Sequence, residues 1–213
     1  MFHHDALFIG PQRLEGDLCM DGHARGLVVF AHGSGSSRRS PRNRQVAQTL
    51  QHRGLATLMF DLLTLDEAED RRHVFDIALL GQRVLEALDA LPASVRDVPV
   101  GLFGASTGAA AALVAAASRP ELVKAVVSRG GRPDLAREHL PLVRAATLLI
   151  VGGSDIDVLE LNRAAYALLS CGKRIEVVPR ATHLFEEAGA LEAVARLAGD
   201  WFVDHLRRED ESG

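Results

Sequence analysis

Gly104-Ala105-Ser106-Thr107-Gly108 is a G-x-S-x-G pentapeptide, and no second copy of it occurs in the 213 residues. It follows the apolar run Val98 to Phe103 and precedes an alanine-rich stretch, so its serine is expected on a strand-to-helix turn. A turn this sharp strains the serine backbone, and the flanking glycines let strand and helix approach closely. The hydroxyl is then presented beyond the sheet as a nucleophile. The N–H of Thr107 opens the helix, where free donors and the helix dipole favour a negatively charged oxygen. The plainer reading of Ser106 is a helix N-cap.

Three more strand ends carry residues of matching chemistry. His32-Gly33-Ser34-Gly35-Ser36-Ser37 follows the apolar run Leu27 to Ala31, and the N–H of Ser34 is a candidate second oxyanion donor. Neither the lysine of a phosphate-binding loop nor a dinucleotide G-x-G-x-x-G is present there, and His32 reads as a loop-orienting hydrogen-bond partner. Gly152-Gly153-Ser154-Asp155-Ile156-Asp157 offers two carboxylates. Asp155 is expected to orient a histidine, and Asp157 to cap a helix beginning near Val158. Pro179-Arg180-Ala181-Thr182-His183 places His183 on a loop before the last helix, as the candidate general base.

Positioning these residues requires strands alternating with helices. Strands are expected at Arg13 to Cys19, Leu27 to Ala31, Ala56 to Phe60, Val98 to Phe103, Val123 to Val127, Thr147 to Val151 and Ile175 to Val178. Helices are expected at Pro41 to Arg53, Arg72 to Leu91, Thr107 to Ser118, Val158 to Ser170 and Ala188 to Leu206. The alternation predicts an α/β fold whose mostly parallel sheet is covered on both faces, with ligands held beyond the carboxyl ends of the strands.

Ser106, Asp155 and His183, in that chain order, resemble the α/β-hydrolase fold, most closely its compact dienelactone hydrolase-like branch. The His32-Gly33 loop, the Gly104 to Gly108 elbow, the Gly153-Ser154-Asp155 turn and the Ala181 to Phe185 segment carry the resemblance, which spans nearly the whole chain. It implies acyl transfer from a small soluble ester through an acyl-enzyme, without metal or organic cofactor, with backbone N–H groups of Ser34 and Thr107 holding the oxyanion. Dienelactone hydrolases in the strict sense have cysteine at the elbow, so their lactone specificity does not carry over. An acyltransferase or perhydrolase would use the same residues, and a catalytically silent ligand-binding module would share the fold.

The segment between Gly131 and Thr147 is too short for a large cap, which predicts an open, shallow site. Arg38, Arg39, Arg42 and Arg44 read as a solvated face at a helix start. Arg129, at a strand end, is a candidate ligand for an acidic group on the substrate, or a structural partner of an aspartate. Composition bounds the rest. With 47% hydrophobic and 24% charged residues the chain reads as one globular domain over 1–213, with a frayed tail at 207–213. A net charge of −4 gives no case for nucleic acid or an anionic membrane. No apolar run approaches about 18 residues, no signal peptide is visible, and two distant cysteines suit reduced thiols in the cytoplasm. Nothing in the sequence reads out the oligomeric state.

Overall fold

The structure, a computed structural model, describes residues 2–207. Eight strands form one sheet: β1 (His3–Ile9), β2 (Leu14–Met20), β3 (Leu27–Ala31), β4 (Ala56–Phe60), β5 (Val100–Ala105), β6 (Val123–Arg129), β7 (Ala146–Gly152) and β8 (Lys173–Val178). Their spatial order is β1-β2-β4-β3-β5-β6-β7-β8. The pairings from β4 through β3 to β8 are parallel, whereas β1 and β2 run antiparallel at one edge. The central strands β3, β4 and β5 are buried along their whole length, as continuous apolar runs covered on both faces must be.

The helices are α1 (Pro41–Gln51), α2 (Leu65–Glu69), α3 (Arg71–Val74), α4 (Ile77–Asp89), α5 (Ala93–Arg96), α6 (Thr107–Ser118), α7 (Ile156–Leu168) and α8 (Ala190–His205). Two apolar cores flank the sheet. One joins Val29, Leu58, Leu102 and Val126 to α4 and α6, and the other joins Val28, Phe30, Val127 and Ile150 to α1 and α8. The Ala-rich α6 is buried nearly all round because it lies directly on the sheet.

Two elements depart from the sequence expectation. The edge strand β1 had no signal, since its residues are mostly exposed and carry no apolar alternation. The single helix expected over Arg72 to Leu91 is broken into α3 and α4, and α2 precedes them. Local caps explain the breaks: Thr64 and Glu67 form a reciprocal capping box, Asp70 accepts from Arg72 N–H at 2.8 Å, and Asp76 accepts from Leu79 N–H at 3.0 Å. Such side chains hold the backbone out of a continuous helix. The expected tail lies outside the described residues apart from Arg207.

Candidate active site

Ser106 stands between β5 and α6 with φ 51° and ψ −121°, a left-handed conformation that costs a non-glycine residue energy and persists only where its surroundings fix it. Those surroundings are glycine-dependent. A Cβ at Gly104 would lie 2.3 Å from Ala109 Cα, and one at Gly108 would lie 2.2 Å from Ala31 O. Ser106 occupies the N-cap position of α6, yet its side chain makes no capping bond. Its backbone is held on both sides: Ser106 N–H donates to Arg129 O at 3.3 Å, and Arg132 N–H donates to Ser106 O at 3.1 Å. The hydroxyl is left for chemistry.

Asp155 likewise stands at the N-cap of α7 without capping it. Its Oδ2 accepts from His183 Nδ1 at 2.7 Å, a charge-assisted distance. That bond puts the proton on Nδ1 and leaves Nε2 free to accept one, the tautomer a general base needs. The two loops are laced together by Gly153 N–H donating to Val178 O at 2.8 Å and Ser154 N–H to Ala181 O at 2.9 Å, while Asp155 N–H closes its own turn on Gly152 O at 3.1 Å. Asp157 falls in the first turn of α7, which begins two residues earlier than expected. His183 packs against the turn that follows β6, where a Cβ on Gly130 would lie 3.1 Å from His183 O. Since the preceding residue, Arg129, takes the Ser106 N–H, this turn joins the serine and histidine loops.

The loop after β3 meets the elbow directly, for a Cβ at Gly33 would lie 3.0 Å from Ser106 Cβ. His32 is buried and bridges two segments. Leu62 N–H donates to its Nε2 at 3.0 Å, so Nδ1 carries the proton and donates to Gly33 O at 3.0 Å. The Gly33–Ser34 peptide is planar and trans, so fixing Gly33 O on one side turns Ser34 N–H to the other. There Ser34 N–H donates to Thr107 Oγ1 at 3.1 Å. The candidate oxyanion donor is thus engaged by the hydroxyl of Thr107, a residue singled out from sequence only for its backbone N–H. Burial lowers the His32 pKa below its usual value and keeps the ring neutral, as its acceptor role requires.

A cavity of about 720 Å³ opens beside Ser34 and Thr107. Of the candidate site residues only Ser34 and Thr107 line it, and Ser106, Asp155 and His183 do not. Its cover comes from the connection after β4, through Leu62, Leu63, Leu65, Ala68 and Val74, and not from the short segment after β6. Arg38 lines it too, and is not part of a solvated face: it pairs with Asp61 at 2.5 Å, with Asp17 at 3.3 Å and with Glu15. Arg129 does not line this cavity. It points to the α1 and α8 face of the sheet, is 5% exposed, and has no aspartate partner among the described residues; its Nη2 donates to Asn43 Oδ1 at 3.2 Å.

A family model described as an alpha/beta hydrolase domain matches residues 24–193. A dienelactone hydrolase from Anabaena variabilis is 54% identical in sequence, with a TM-score of 0.92 over 97% of this chain and 99% of that one. Est1E from Butyrivibrio proteoclasticus shares the fold at 16% identity, with a TM-score of 0.78 over 93% of this chain and 98% of that one. A Mycobacterium tuberculosis protein provisionally named a phosphoribosyl transferase is 56% identical over 96% of this chain, which spans only 46% of that relative's length. No helix among the described residues is long and apolar enough to cross a membrane. With its eight-stranded, mostly parallel sheet and a serine at the strand-to-helix elbow, the chain belongs to the α/β-hydrolase family, in its dienelactone hydrolase-like branch.

Proposed function

We propose that this chain is a serine hydrolase of small carboxylic esters. The observations that carry the reading are a strained, uncapped Ser106 at the end of β5 and a His183 held by Asp155 at 2.7 Å beyond β7 and β8, the same end of the parallel sheet. His183 Nε2 takes the Ser106 proton as the hydroxyl oxygen attacks the ester carbonyl, and Asp155 stabilises the resulting imidazolium. Thr107 N–H and Ser34 N–H hold the tetrahedral oxyanion. Collapse expels the alcohol, which receives the proton from His183, and water cleaves the acyl-enzyme by the same steps in reverse roles. The two cysteines are free thiols, which suits a cytoplasmic setting.

The transferase name of the Mycobacterium tuberculosis relative belongs, on this reading, to the part of that protein which this chain does not span. A fluorophosphonate probe and a panel of short p-nitrophenyl esters test the proposal. Wild type is expected to label and to turn over, and Ser106→Ala to do neither, with kcat lower by about 10⁶. Retention of a tenth of the wild-type rate in a folded Ser106→Ala protein, or failure of wild type to label, would overturn it. Adding alcohol or peroxide as a competing acyl acceptor separates a hydrolase from an acyltransferase or perhydrolase.

A further inference from the structure

We propose that Arg129 and Arg42 form a binding site for a small oxyanion, a phosphate or a carboxylate, behind the His183 loop and on the sheet face opposite the cavity. Arg129 leaves the end of β6 toward α1 and α8. Its guanidinium carries five N–H donors, of which one is used, by the neutral amide oxygen of Asn43. Arg129 Nε is buried without a partner, and so is Arg42 Nε. No carboxylate pairs with Arg129 among the described residues. A buried cation in this state is costly, and the charge of Arg42 acts on it unfavourably.

Three neighbours of the pair suit an anion, and one competes with it. The Phe185 ring lies under the Arg129 guanidinium, 5.8 Å from centroid to Cζ, and supplies a flat wall and no competing charge. Arg42 and Asn43 lie in the first turn of α1, whose positive dipole end adds to the field. Desolvation and then the Arg42 charge pull the Arg129 pKa down to about 10, which an oxyanion between the two arginines would reverse. Arg42 is half-exposed and gives the route from solvent, and there Glu186 already holds Arg42 Nη1 at 3.1 Å. Glu186 is therefore the built-in competitor. One carboxylate against two arginines still leaves a net positive charge.

The position gives such a site a consequence. Arg129 O takes the Ser106 N–H, the next residue packs on His183, and Phe185 lies two residues after that histidine. An anion drawn in between Arg129 and Arg42 would brace the loop on which the candidate base sits. Neither arginine lines the large cavity, so the site is a second one and does not depend on the ester-hydrolase reading.

Inorganic phosphate titrated into the full chain at constant ionic strength, read by calorimetry and thermal melting, tests the proposal without any ester chemistry. Wild type is expected to bind one phosphate, and at 100 times its Kd to melt about 5–10 °C higher. Arg129→Met and Arg42→Met should each weaken binding at least about tenfold, and Glu186→Gln should tighten it. Arg42 is half-exposed, so Arg42→Met carries the test even if Arg129→Met fails to fold. Malonate in place of phosphate, and esters ending in a carboxylate or in a neutral group, identify the source of the anion. Competition between free anion and the acidic ester assigns the site to the end of a substrate, and binding without competition assigns it to a separate effector. Equal responses in wild type and Arg42→Met, or a response that chloride matches, would overturn the site.

Discussion

Thr107→Val separates two ways in which a hydroxyl can serve an oxyanion hole. In the substrate-free protein Ser34 N–H donates to Thr107 Oγ1 at 3.1 Å, and Thr107 is 2% exposed. Valine keeps the shape of threonine but offers no acceptor, so Ser34 N–H loses its partner. Ser34 is exposed, so water takes up the freed N–H and only the net worth of the bond is lost, about 0.5–1.5 kcal/mol, which for a chain of this size lowers the melting temperature by about 1–6 °C. The kinetic effect has the opposite sign. On the proposed function the developing oxyanion takes Ser34 N–H away from Thr107, a bond with a net contribution of about 0.5–1.5 kcal/mol over one to water, and in the variant it displaces only water. At about 1.4 kcal/mol per factor of ten, kcat/KM for p-nitrophenyl acetate is expected to rise about 2–13-fold.

Stability and rate should therefore move in opposite directions, read from a thermal melt and initial rates on the same preparation. A fall of about 10²–10³ in rate, the size of a lost oxyanion donor, would refute the reasoning, because it would mean that Thr107 aims Ser34 N–H and does not merely occupy it.

Three other perturbations probe the same end of the sheet. Asp155→Asn is expected to lower kcat by about 10⁴ by destroying the tautomer fixed at 2.7 Å, while Asp157→Asn stays within about threefold of wild type; the reverse order in steady-state assays would reassign the acid. Gly108→Ala would put a methyl 2.2 Å from Ala31 O and 2.4 Å from His32 O, both backbone, so a loss of at least about 3 kcal/mol in urea unfolding is expected, and near-wild-type stability would contradict the packing. Burial holds the His32 pKa below its unfolded value of about 6.5, so the unfolded chain takes up a proton that the folded one refuses as pH falls below about 6.5. The stability His32 contributes is thus complete above that pH and drains by up to about 1.4 kcal/mol per pH unit beneath it; His32→Gln should flatten the curve, and identical slopes in the two proteins would remove His32 as the cause.

What the sequence made legible follows from how local each determinant is. The elbow could be read because strain, glycines and the change from strand to helix period all fall within five residues, Gly104 to Gly108. Asp155 and His183 could be read because each follows a buried or half-buried strand directly, and the parallel order of β5, β7 and β8 then delivers both to one end of the sheet. β1 was silent because an exposed edge strand needs no apolar alternation, and its pairing with β2 supplies the order that its own pattern lacks. The cover of the cavity was hidden by residues 72–91, whose helical period continues across the breaks that Asp70 and Asp76 impose through caps.

The least legible features are contacts between segments far apart in the chain. Ser34 and Thr107 are 73 residues apart, and Arg129 and Asn43 are 86 apart. From sequence Arg129 is a cation at a strand end, and whether it meets water, an aspartate or a buried amide is decided by α1 and by Phe185. Strand alternation does contain half of the answer. Arg129 shares parity with Ala125 and Val127, both packed under α1 and α8, whereas Val126 and Ser128 face the other side of the sheet. Parity therefore sends the guanidinium away from the cavity beside Thr107. The burial of that charge, with an amide in place of a carboxylate, is what turns a strand-end arginine into evidence for an anion.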